Sequence, residues 1–186
     1  MATDSFDRAD AGTLGANWTS CGSNPAYGIV SNTAASSNAE AEEAVFWNAE
    51  TFADNHYSEV TVSTTASNAY IGVAVRCSTG SGGNYYGFYG DNATRYIVRV
   101  VAGAYTSLAT TGTGFTNGDT LRLEAEGTTL RAYINGVLWT SVTDSNLTSG
   151  APGLTSWANN NSGRLNDWVG LNLFNFVPRM TLMGAG

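Results

Sequence analysis

Few residues in this 186-residue chain are equipped to do chemistry. Its glutamates fall into three groups of interest: Glu40, Glu42 and Glu43 in a polar segment, Glu59 ahead of Val60-Thr61-Val62, and Glu124 with Glu126. Glycoside hydrolysis needs two carboxylates facing one another a few ångströms apart. Glu124 and Glu126 share a strand face, but they sit among Arg122 and Arg131 and have no third carboxylate beside them. The single His56 lies between Asn55 and Tyr57 with no GxSxG-type nucleophile motif nearby, and it reads as a surface histidine. Cys21 and Cys77 are too few for a cysteine zinc site. They either bridge an early loop to a strand end or stay as two buried thiols. These groups do not compose an active site, so the chain is expected not to be an enzyme.

The most regular stretch, residues 118–144, reads as three antiparallel strands. Leu121, Leu123 and Ala125 alternate with Arg122, Glu124 and Glu126, and Leu130, Ala132 and Ile134 alternate with Arg131, Tyr133 and Asn135. A period of two marks strands with one buried and one solvated face. Gly127-Thr128 and Asn135-Gly136 punctuate the runs, and Asn-Gly is a strong hairpin signal because both turn residues tolerate positive φ. A two-residue loop at 127–128 sets Glu124 opposite Arg131 as an outer-face ion pair. Trp139 faces inward after a strict two-residue Asn135-Gly136 turn and outward after a bulged one.

Further short strands are expected at 5–8, 27–32, 44–48, 57–63, 69–77, 84–90, 95–101, 105–110, 154–157 and 164–176, with a polar loop over 33–43. About a dozen strands and no convincing amphipathic helix point to an all-β sandwich or barrel. Trp18, Trp47, Trp157 and Trp168 are expected in its core.

The strands at 69–101 carry the best binding constellation. With Ile71, Val73, Val75, Tyr86, Phe88, Tyr96, Val98 and Val100 turned inward, the opposite face presents Tyr70, Arg76, Tyr85, Tyr89 and Arg99 over a floor of Gly72, Ala74 and Gly87. Such a face can be a sugar groove, since tyrosine rings stack on sugar C–H faces while hydroxyls and guanidinium groups bind oxygens. It can equally be a subunit interface, where Tyr and Arg are enriched, or plain intrachain packing.

All eight basic residues are arginines, and the net charge of −7 argues against nucleic acid and anionic membrane surfaces as partners. No apolar run approaches the ~20 residues that span a bilayer. The first ten residues lack the basic and apolar regions of a secretory leader. The expectation is a leader already removed, or assembly by another route such as a virus particle. Residues 177–186 form an apolar tail of Pro178, Met180, Leu182 and Met183, expected to dock on its own domain or to serve as an arm on a neighbouring subunit.

In order, residues 4–18, the AYIGVAVR and NYYGFYG strands, residues 118–154 and a closing strand with Asp167 resemble the concanavalin A-like lectin/glucanase superfamily. They are most similar to laminin-G-like domains of bacterial and phage proteins. The resemblance covers about residues 4–176. It implies a two-sheet antiparallel jelly-roll sandwich over 1–176 with adjacent terminal strands, and carbohydrate binding. Hydrolases of that superfamily carry ExDxxE, which is absent here. The resemblance implies no obligatory cofactor. Some relatives bind calcium at the rim, where Asp4, Asp7 and Asp167 would meet if the terminal strands pair, and calcium takes six to eight such oxygens. The expectation is therefore a non-catalytic virion-surface protein, a capsid decoration or tail component. Its partners would be virion subunits, further copies of itself or host glycans. The alternative is an extracellular bacterial carbohydrate-binding module.

Overall fold

The computed structural model describes residues 1–22, 27–36 and 42–173. Within them fifteen strands, numbered along the chain, form two antiparallel sheets, and no helix occurs. One sheet runs β13 (Val137–Thr143), β12 (Thr129–Ile134), β11 (Thr120–Glu126), β6 (His56–Thr64), β15 (Arg164–Asn172), β4 (Ala34–Ser36), β3 (Tyr27–Ile29), with β1 (Ala2–Asp4) paired to β15. The other runs β10 (Ala104–Thr111), β9 (Arg95–Val101), β8 (Asn84–Gly90), β7 (Tyr70–Ser78), β14 (Ala151–Trp157), β5 (Glu42–Trp47), β2 (Trp18–Ser20). This is the expected all-β sandwich.

The central triplet falls where its period of two places it. Leu121, Leu123, Leu130 and Ala132 are fully buried. A leucine hidden in this way contributes about 1.5–3 kcal/mol. Asn135 and Gly136 have φ of 52° and 75°, so the turn takes two residues with positive φ and Ile134 pairs with Val137. The register then shifts at Trp139, the extra residue between Leu138, paired with Tyr133, and Thr140, paired with Ala132, and Trp139 lies inward with its ring stacked 5.4 Å from Phe88. Glu124 does stand opposite Arg131. Their charges pair elsewhere: Glu124 with Arg122, and Arg131 with Glu126 at 2.7 Å.

The first turn departs from expectation. Residues 5–8 are not a strand, because Asp4 draws the chain back on itself. Its carboxylate accepts from the Phe6 amide at 2.9 Å, from both Arg8 guanidinium nitrogens at 2.6 and 3.0 Å, and from Trp18 Nε1 at 2.9 Å. Phe6 is thereby held at φ 57°. Phe6 packs on Trp18, which meets Trp168 at 4.7 Å and Trp47 at 5.5 Å, so three of the four expected core tryptophans form one cluster. Cys21 and Cys77 are buried free thiols in contact, and burial together with the Cys21 thiol beside it pushes the Cys77 thiol up.

His56 is not a surface residue. It is fully buried, with Nδ1 donating to the Ala53 carbonyl at 2.7 Å and Nε2 accepting from the Arg76 amide at 3.0 Å. Both ring nitrogens are satisfied in the neutral form. The tail residues Pro178, Met180, Leu182 and Met183, expected to dock or to serve as an arm, lie outside the described residues.

Candidate functional site

Strands β7, β8 and β9 are neighbours, as the binding constellation requires. Ile71, Val73, Val75, Tyr86 and Phe88 do face the core, and Tyr70, Tyr85 and Tyr89 do face away from it. β9 is inverted with respect to the expectation. Ile97 joins the core opposite Phe88, and Arg99 stands opposite Tyr86 on that same side. There Arg99 is bound to Asp144 at 2.5 Å, and Tyr86 donates to the other Asp144 oxygen at 2.6 Å. These donors, with the Asn146 amides, outweigh burial and hold the Asp144 carboxyl down at about 2. Tyr96 takes the outward position opposite Tyr89.

Arg76 is also diverted. A bulge after Val75 puts it at φ 52°, and its guanidinium is buried. It donates to the carbonyls of Asp54 at 3.2 Å, Leu147 at 2.8 Å and Gly127 at 2.6 Å. Burial pulls its pKa down, with Tyr86 and Asp54 opposing it. It ties three loops together and does not join the tyrosine-bearing face.

What remains on the outer face of the seven-stranded sheet is aromatic. Tyr70, Tyr89, Tyr96, Tyr105 and Trp157 line a groove of about 430 Å³ with Glu42. Each strand from β10 to β5 contributes one of these side chains. Tyr70 is central, with ring centroids 5.0 Å from Trp157, 6.0 Å from Tyr96 and 6.1 Å from Tyr89. Trp157 stands opposite both Tyr70 and Glu42, which joins β7, β14 and β5 in one row. Trp157 is therefore not core: 39% of it is exposed, as is 45% of Tyr105.

The small-residue floor has a different occupant from the one expected. Tyr89 stands opposite Gly72, and its hydroxyl crosses β7 and β14 to reach Glu42 Oε1 on β5 at 2.7 Å. Tyr85 reaches Glu42 Oε2 at 3.1 Å and is itself buried beneath the surface. At Gly87 a Cβ would press on methyls of Thr155 and Val98 at 3.1 Å, so a small residue is needed for these rings to lie across the sheet. Burial pushes the Glu42 carboxyl above the usual range, with the two hydroxyl bonds opposing it. Burial and the Glu42 charge raise both tyrosines in turn.

Glu42 is the one carboxylate lining this groove among the described residues. Its neighbour Glu43 points into the sandwich, where Ser36 donates to it at 2.7 Å. Sequence reading missed Glu42, Tyr96, Tyr105 and Trp157. Alternation from Leu154 would have turned Trp157 outward, and the Glu42–Ala44–Phe46 parity would have placed Glu42 on the same face.

The three aspartates do not converge as a metal site. β1 does pair with β15, setting Asp4 opposite Trp168, but Asp4 is saturated by Arg8, Trp18 and Phe6. Those bonds hold its carboxyl below the usual range against the opposing effect of burial. Asp7 and Asp167 are exposed, and no cluster of three metal-ligating side chains occurs among the described residues.

No protein-family model matches this sequence, and no curated protein matches it. Solved structures do share the fold. The carbohydrate-binding module CBM66 from Bacillus subtilis is 16% identical, with a TM-score of 0.64 over 83% of this chain and 94% of that one. The exoplasmic/lumenal domain of VIP36, in a Ca2+/Man3GlcNAc-bound form, is 9% identical, with a TM-score of 0.57 over 86% of this chain and 85% of that one. LamAcat from Zobellia galactanivorans is 9% identical, with a TM-score of 0.55 over 93% of this chain and 97% of that one. At identities this low the likeness shows the two-sheet sandwich fold and leaves function to the site itself.

Proposed function

We propose that this chain is a non-catalytic glycan-binding domain whose ligand lies in the aromatic groove over the seven-stranded sheet. The observation that carries the reading is the exposure of Tyr105 and Trp157 on either side of a tyrosine-lined depression with one carboxylate. Aromatic faces offer sugars an apolar surface for their C–H groups, and Glu42 with the tyrosine hydroxyls offers hydrogen bonds to their oxygens. Sugar-binding domains among the structures that share this fold support the same reading. A single carboxylate among the described groove residues supports the non-catalytic half, because retaining and inverting hydrolysis both use two acids flanking the scissile bond. The expectation of a virion surface drew on the family resemblance and the tail after Pro178, whereas this proposal draws on the groove and the shared fold.

A glycan array followed by calorimetry on the best binder tests it. Trp157→Ala should weaken binding by about 30-fold or more, as loss of an aromatic anchor does. Tyr133→Ala, on the opposite sheet, should leave affinity unchanged. Absence of glycan binding, or equal loss in both variants, would overturn the assignment.

A further inference from the structure

The groove's charge is unbalanced in a way that says more about its ligand. The chain has eight arginines and no lysine. Four arginines are committed to carboxylates: Arg8 to Asp4, Arg99 to Asp144, Arg122 to Glu124 and Arg131 to Glu126. Arg76 holds three carbonyls, Arg95 lies 5.3 Å from the Trp139 ring, and Arg164 donates to the Asn161 carbonyl. Arg179 is outside the described residues. Among the described groove-lining residues, none is cationic.

Glu42 is thus mostly buried with neutral partners only, the hydroxyls of Tyr85 and Tyr89. A carboxylate has about four acceptor sites, and these bonds use two. An ionised group taken out of water seeks a charged partner. Burial raises the Glu42 carboxyl, and the two hydroxyl bonds only partly oppose it. Around it stand Tyr70, Tyr96, Tyr105 and Trp157, whose ring faces attract cations.

We propose that the groove selects glycans carrying a free protonated amine, the amino sugars, over neutral glycans and rejects those carrying carboxylates. The ammonium sits against Glu42 and beneath the aromatic rims. It forms the charge-assisted bond that the hydroxyls cannot, and the sugar ring lies against Trp157 or Tyr105. An acidic sugar would bring a second carboxylate to a pocket whose described lining has no cation to receive it. This inference rests on the glycan reading above and refines it.

Three matched probes decide it by calorimetry at physiological salt: a glucosamine tetramer, its N-acetylated counterpart, and a galacturonic acid tetramer. The free amine should bind at least about tenfold tighter than the acetylated form, the ratio a charge-assisted hydrogen bond supplies over a neutral one. The uronate should show no measurable binding. Glu42→Gln should bring the amine and acetylated tetramers to near parity with a retained dependence on Trp157. That arm also separates the groove from the overall charge of −7, of which it removes one unit. Equal or tighter binding of the acetylated tetramer by the native protein, or an amine preference surviving Glu42→Gln, would overturn the inference and leave the glycan reading standing. Failure of all three probes would overturn the inference, and a glycan array that is also negative would overturn both.

Discussion

The two outer faces of the sandwich carry the same residue types and use them differently. Over the eight-stranded sheet Glu124 takes Arg122 and the Tyr133 hydroxyl, Glu126 takes Arg131, and the Arg122 guanidinium lies 4.0 Å over the Tyr57 ring. Over the seven-stranded sheet Glu42 takes two tyrosine hydroxyls, and the rings around it meet no described guanidinium. Where Glu124 and Glu126 each have a guanidinium partner, the surface is finished. Where a carboxylate and several rings are left without one, the surface is shaped for something the chain does not itself provide. Residue type alone does not distinguish a scaffold from a site; local charge balance does.

The largest test strikes the unit that couples the two halves. The Arg76 amide donates to His56, and the Arg76 guanidinium holds the 54, 127 and 147 loops. Burial first, and the Arg76 charge second, pull His56 down to about 4 from an ordinary 6.5, while the Ala53 carbonyl opposes them. The unfolded histidine therefore takes up its proton first as pH falls. Its stabilising contribution is complete above the unfolded value and disappears as pH drops through the folded one. That amounts to about 2 kcal/mol between roughly pH 7 and pH 4.5. Urea unfolding of the native protein should lose that much over the window, and His56→Gln should be weaker at neutral pH but flatter. A native curve as flat as the variant's would show that this histidine does not couple the faces to pH.

The next test sets one glutamate against another. Glu124→Ala removes an ion pair and a tyrosine bond from a largely buried carboxylate, and should cost about 1–2 kcal/mol at neutral pH. Glu42→Gln should cost nothing, or stabilise slightly. The folded Glu42 value is raised, so its contribution is present below 4.5 and lost as pH rises through the folded value. A neutral amide escapes that loss and still bonds both hydroxyls. If Glu42→Gln destabilises as much as Glu124→Ala, the groove carboxylate is structural, and the contrast between the faces fails.

Sequence period made most of this architecture legible and failed at identifiable points. Alternation placed the inward leucines of the hairpin triplet, and it separated Tyr70 and Tyr89 from Ile71, Val73 and Phe88. It failed at Arg76 because the bulge reverses parity within Val75-Arg76-Cys77, a run with no local mark of irregularity. It failed on β9 because Ile97, Val98 and Val100 are all buried, so both faces are apolar and the parity had no anchor. His56 looked polar and surface-bound because its partners, the Ala53 carbonyl and the Arg76 amide, are backbone groups that no side-chain pattern announces. Two of the six groove residues, Tyr70 and Tyr89, were readable. The other four, Glu42, Tyr96, Tyr105 and Trp157, arrive from strands whose order in the sheet is a tertiary fact.

The smallest test concerns the hairpin pair that sequence pointed to most directly. Glu124 and Arg131 stand opposite one another, the arrangement that favours a cross-strand ion pair. Yet Glu124 takes the shorter reach to Arg122 on its own strand, and Arg131 turns to Glu126, whose side chain is 44% exposed. Screening by water leaves an exposed pair of this kind below about 0.5 kcal/mol. A double-mutant cycle of Glu126→Gln with Arg131→Gln should return a coupling of that size, and the cycle of Glu124→Gln with Arg131→Gln should return one indistinguishable from zero. Coupling concentrated in the directly opposed pair would mean that register, rather than the charge network, organises this face. The charge balance that separates it from the groove would then lose its meaning.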